Sequence, residues 1–116
     1  MTKVIYYITA EGENPTANFI ASLSARQKNK VVRILTYVER YGLVTAIRHV
    51  KKLTGTPLWE IRILGQDNIR VFYATIEGDA IIVLHGFIKK SQKAPLKEIE
   101  TAMGRLNNWI RRIKGV

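Results

Sequence analysis

Apolar residues recur along the chain in two rhythms, and the change between them divides it into elements. Val4 to Ile8 is a short run of β-branched and aromatic residues that ends before Glu11-Gly12-Glu13, which predicts a strand. Asn14-Pro15 predicts a helix start. The Asn side chain can accept an orphan backbone N–H, and Pro suits a first helical position that has no use for its missing one. Ser24-Ala25-Arg26-Gln27 has the capping-box form, and Val31, Ile34, Leu35, Val38 and Tyr41 then return every three or four residues until Gly42. That pattern predicts a second, amphipathic helix. Its outer face carries Arg26, Lys28, Lys30, Arg33 and Arg40 and reads as a solvated surface.

Gly42 to Pro57 reads as a basic connection containing Arg48, His49, Lys51 and Lys52, with His49 exposed. Leu58 to Ile63, Ile69 to Ile76 and Ala80 to Ile88 then read as three strands, with turn chemistry at Leu64 to Asn68 and at Gly78-Asp79. Links this short imply an antiparallel meander. Pro95 opens a last helix whose apolar stripe is Leu96, Ile99, Met103, Leu106, Ile110 and Ile113. The expected fold is α+β: a small antiparallel sheet, made of the N-terminal strand and the meander, packs against two N-terminal helices and is followed by a C-terminal helix. Residues 1–116 read as one domain, without repeats or linkers.

Strand alternation assigns faces. A two-residue turn at Gly78-Asp79 sets Phe72 opposite His85 and Arg70 opposite Phe87; a five-residue loop at Leu64 to Asn68 sets Arg62 opposite Arg70 and Glu60 opposite Phe72. One face then carries Trp59, Ile61, Ile63, Val71, Tyr73, Ile82 and Leu84 and is the expected core. The other carries Glu60, Arg62, Arg70, Phe72, His85 and Phe87, with Lys89 and Lys90 at its rim.

Composition narrows what that second face is for. The chain has 116 residues, 47% hydrophobic and 24% charged, which places it among folding rather than disordered sequences. Its 19 Lys and Arg against 9 Asp and Glu give +10, a field that attracts phosphate-rich partners such as RNA. With no cysteine and only two histidines, disulfides, thiolate catalysis and cysteine-based zinc sites are excluded, and neither a metal nor a cofactor is expected. No apolar run has bilayer-spanning length and the N-terminus lacks a signal-peptide layout, so the expectation is a cytoplasmic protein with no membrane partner.

Two arginines directly opposite each other repel unless an acid or an incoming anion bridges them. Glu60 as the bridge gives an ion-pair network that stiffens an exposed sheet. With the pairs Lys89-Lys90 and Lys51-Lys52 nearby, the same arginines form a phosphate cradle, Arg as a bidentate fork and Lys as a point charge. Phe72 and Phe87 either stack on unpaired bases or are covered by a neighbouring loop. His85 suits proton transfer or a structural place on its strand.

Lys51-Lys52-Leu53, Leu58-Trp59-Glu60-Ile61-Arg62, Ile69-Arg70-Val71-Phe72-Tyr73 and Leu84-His85-Gly86-Phe87, followed by Lys89-Lys90 and Pro95, resemble the RelE/HigB toxins of bacterial type II toxin–antitoxin systems, and most of all their phage-derived HigB-like branch. The resemblance spans about residues 46 to 106. It implies a RelE-like fold and a metal-independent endoribonuclease that cuts mRNA on the ribosome, by attack of a ribose 2′-hydroxyl on the adjacent phosphate. By position it makes Arg70, Arg62 and Lys89 catalytic, with Lys90 beside them; the strand-face argument adds Glu60 and His85 as candidate bases, with Glu as base and Lys or His as acid, and Lys51, Lys52, Lys90, Phe72 and Phe87 as RNA contacts. No tyrosine follows Lys90, where some members place a catalytic one. It also implies a cognate antitoxin, often a helix-turn-helix DNA-binding protein. The same fold carries ParE-type gyrase inhibitors, and a non-catalytic nucleic-acid-binding module is the third reading.

Overall fold

A computed structural model of the chain describes residues 2–43, 48–63, 65 and 68–115. The described elements follow in the order β1 (Lys3–Tyr6), α1 (Pro15–Ala21), α2 (Ala25–Tyr41), β2 (Val50–Lys52), β3 (Trp59–Ile63), β4 (Ile69–Ile76), β5 (Ala80–Ile88) and α3 (Leu96–Ile113). The strands make one sheet in the order β1-β5-β4-β3-β2. The fold is α+β, as the rhythm of apolar residues predicts.

The helix starts are those the sequence marks. Asn14 accepts from the Ala17 N–H at 3.0 Å, and Ser24 and Gln27 close a reciprocal capping box at 3.2 and 3.0 Å. Gly42 ends α2 with φ +90°, a conformation that side chains other than hydrogen resist.

Three features of the sheet differ from expectation. The basic connection contains a short strand, β2, which pairs antiparallel with β3 at Lys51↔Glu60. Its two lysines hid it from a reading by hydrophobicity. β1 lies on the opposite edge and runs parallel to β5, with Val4↔Ile81 and Tyr6↔Val83, because α1 and α2 carry the chain back before the meander begins. The β4–β5 turn has three residues, Glu77 to Asp79, and pairs Ile76 with Ala80 rather than Glu77 with Ala80.

That one-residue offset is undone by a bulge. Tyr73 pairs with Val83 but Phe72 pairs with His85, so Leu84 is the extra residue on β5. Beyond the bulge the expected pairs Phe72↔His85 and Arg70↔Phe87 stand, as do Arg62↔Arg70 and Glu60↔Phe72 on the other side of β4. Before it the faces are exchanged: Ile82 and Leu84, expected beside Val71 and Tyr73, instead join the cluster with Phe72 and Ala74. The Leu64–Asn68 loop lies partly outside the described residues, but its flanking pair Ile63↔Ile69 is the expected one.

Helices cover both faces of the sheet. Under α1 and α2, Ile61, Ile63, Ile69, Val71, Tyr73, Ile81 and Val83 meet Ile20, Leu23, Val31, Leu35 and Val38, while Trp59 stays only partly buried at the margin. Gly86 lets α1 approach, since a Cβ there would stand 2.5 Å from the Phe19 ring. On the other face α3 lays Ala102 and Leu106 over Phe72, Ala74, Ile82, Leu84 and Phe87. The ends of its stripe, Leu96 and Ile113, overhang the sheet and are exposed.

Candidate functional site

The lower edge of this second layer is polar. Phe72 is fully buried and Phe87 is 6% exposed, their rings meeting edge to face at 5.0 Å, so both belong to the core and neither is available to stack on a base. This corrects the expectation of two exposed aromatic rings: α3 packs over them, and Leu53 and Leu58 of the loop between β2 and β3 join the same cluster. Glu60 is also buried, at 6% exposure.

Arg62 and Arg70 stand side by side on the α3 face, as the register requires. Their surroundings differ. Arg62 is exposed, whereas the Arg70 side chain is 15% exposed and its Nε lies 3.8 Å from Glu60 Oε1. Its Nη1 donates to the Ile69 carbonyl at 3.2 Å, but the buried Nε has no hydrogen-bond partner. The Glu60 bridge is therefore partial: it offsets the charge of Arg70 without filling its five donors.

Arg70 also lines a cleft of about 240 Å³, together with Asn68, Lys89, Lys90, Ser91 and Gln92. Lys89 is placed where β5 ends, its N–H donating to the Asn68 carbonyl at 2.8 Å. A second depression of about 280 Å³ lies across the same segment, sharing Lys89, Lys90 and Ser91 and adding Phe87, Lys93, Pro95 and Glu98.

His85 is tied to α3 through both ring nitrogens. Nε2 lies 2.7 Å from Glu98 Oε1 and Nδ1 lies 3.0 Å from Arg105 Nη1, which also donates to the Leu84 carbonyl at 2.9 Å. Its ring stacks on Phe87 at 5.5 Å. Burial pulls the Arg105 pKa down from its ordinary value, with nearby Tyr7 acting the other way. Glu98 and Arg105 are two helical turns apart on one side of α3, and Ala102, fully buried between them, brings the helix close to the sheet. Neither stood out in the sequence: a surface-like Glu and Arg in a helix carry no signal until the helix is docked.

The two lysines of β2 part company. Lys51 shares the face of Glu60 and is exposed. Lys52 pairs with Trp59 on the opposite face, sits 5.6 Å over its ring and donates to the Thr56 carbonyl. Period-two alternation forbids both from facing one ligand. His49, expected to be exposed, is half-buried beside Lys30, Arg33 and Tyr37 of α2, its Nδ1 buried without a partner. Among the described residues, no three His, Asp or Glu side chains gather as a metal ion would require. No helix of the described residues is long and apolar enough to cross a membrane.

The chain is thus a small basic α+β protein whose five-stranded sheet carries, at one end, a cleft lined by Arg70, Lys89 and Lys90. The chain belongs to the family of phage-derived Gp49-like proteins (DUF891), whose model matches residues 18–107, from within α1 to the second half of α3. No curated protein matches it.

Proposed function

We propose that the chain is the toxin of a toxin–antitoxin pair, of RelE/HigB type, and acts as an endoribonuclease on mRNA held by the ribosome. The observation that carries this reading is Arg70: a largely buried guanidinium, incompletely satisfied by Glu60, opening on a cleft whose other cations are Lys89 and Lys90. Such a group gains most from an incoming phosphate, which supplies the missing acceptors in a site already partly dry. Membership of the phage-derived family and the net charge of +10 support it.

In the proposed reaction the ribose O2′ bonds to the adjacent phosphorus as its proton leaves, and the P–O5′ bond breaks. The products are a 2′,3′-cyclic phosphate and a 5′-hydroxyl. Arg70 and the lysines hold the charge that builds on the phosphoryl oxygens, while exposed Arg62 and Lys51 extend the basic surface along the strand of RNA. A cognate antitoxin, proposed as a helix-turn-helix protein, would neutralise the toxin by covering this surface.

Mapping mRNA 5′ ends after incubation with translating ribosomes tests the reading. Cuts in register with codons are expected. Inhibition of gyrase supercoiling without cuts would replace this function with a ParE-like one, and salt-sensitive RNA binding with neither effect would leave a binding module.

A further inference from the structure

The nuclease reading leaves open which group removes the proton from the 2′-hydroxyl. Two acids or bases suggested by the sequence are disqualified by geometry. Glu60 is only 6% exposed and engaged with Arg70, so it is not open to a ribose hydroxyl. His85 has no free lone pair. Arginine only donates, so the Arg105 contact makes Nδ1 the acceptor, which places the ring hydrogen on Nε2, where it is given to Glu98. A proton arriving at Nδ1 would set N–H against N–H.

Glu98 remains. Among the described residues it is the one carboxylate lining the two depressions around Lys89 to Ser91. One oxygen, Oε1, takes the His85 hydrogen; the side chain keeps 35% exposure. His85 from β5 meets it directly, Lys89, Lys90 and Lys93 line the same depression, and Arg105 stands one step behind His85.

Resting on that nuclease reading, we infer that Glu98 is the general base, oriented by a His85–Arg105 relay, and that an RNA phosphodiester lies across the Lys89–Ser91 segment with its phosphate toward Arg70 and its ribose toward Glu98. Glu98 accepts the 2′-hydroxyl proton as the O2′–P bond forms. The 5′-oxygen leaves with a proton from the ammonium of Lys89 or Lys90, and solvent restores both groups. His85 is a positioning residue: its Nε2–H pins Oε1 and so aims the second oxygen, and Arg105 holds the tautomer that makes this possible.

The test measures single-turnover cleavage on programmed ribosomes. Glu98→Gln keeps the shape and can still accept from His85, so its melting temperature and its affinity for the ribosome should stay near those of the unaltered chain while the rate falls ~10²- to 10⁴-fold, the usual worth of a general base. Formate should restore part of the rate to Glu98→Ala. His85→Phe keeps the stack on Phe87 but has no N–H to give, whereas His85→Gln keeps a donor; the glutamine variant should cut faster at equal thermal stability. If the unaltered chain cuts and Glu98→Gln cuts equally fast, the assignment of Glu98 fails while the nuclease stands. If the unaltered chain makes no cuts, both fail together.

Discussion

On the side of α1 and α2 the sheet presents Ile61, Ile63, Val71 and Tyr73 to an apolar layer, and on the side of α3 it presents Phe72 and Phe87 together with Glu60, Arg70 and His85. Both faces are covered, so polarity of a strand face did not mean exposure here. The difference lies in how closure is achieved. The first face needs only complementary apolar shape. The second needs each buried polar group answered, Glu60 against Arg70 and His85 between Glu98 and Arg105, because an unanswered one costs about 1–3 kcal/mol. Where the answer is incomplete, at Arg70, the molecule opens a cleft. A stable apolar layer thus backs a polar layer whose unsatisfied edge is available for a ligand.

Truncating Phe72 probes this contrast most strongly. If α3 seals its face as a second core, Phe72→Ala should lose roughly 3–5 kcal/mol in chemical denaturation. A small loss of stability with a large loss of RNA affinity would restore the stacking role and break the comparison.

On the opposite face, burial pushes the Tyr73 phenol up to about 12 from its ordinary 10.0. The folded chain then holds a proton that the unfolded chain has released. Stability from this source is intact below pH 10 and is lost as pH climbs from 10 toward 12, by about 2–3 kcal/mol in total. Titrating stability in that window should show a larger loss in the parent than in Tyr73→Phe, which keeps the smaller contribution of Tyr6, whose phenol burial and Glu39 also push up.

Gly86→Ala asks how tight the first face is. The added methyl must displace the Phe19 ring, at a cost of roughly 1–3 kcal/mol, and Phe19→Leu in the same chain should recover part of it. Arg62→Ala should show the smallest effect on folding, within about 0.5 kcal/mol, because its side chain is exposed. Its signature belongs to binding: the salt dependence of RNA affinity should flatten by about one charge. A fall in melting temperature comparable to that of Phe72→Ala would mean that Arg62, too, is part of the packed layer.

Much of this architecture follows from local rules that act within a few residues. The caps at Asn14 and Ser24, the period of α2, the stripe of α3 and the pairing of Arg62 with Arg70 are all consequences of near neighbours and strand alternation. The register at His85 came out correctly for a reason that could not be seen, since a three-residue turn and a bulge at Leu84 cancel. What alternation could not supply was the second cover. An α3 that packs back on the sheet turns a solvent face into a core, helps bury Phe72 and Phe87, and brings Glu98 and Arg105 to His85 across 13 and 20 residues of chain. Composition and periodicity report which side chains share a surface, but docking a helix on that surface is a long-range event. Only there do an unfilled guanidinium and a carboxylate come to border two depressions that share Lys89, Lys90 and Ser91, and no spacing along the chain encodes that meeting.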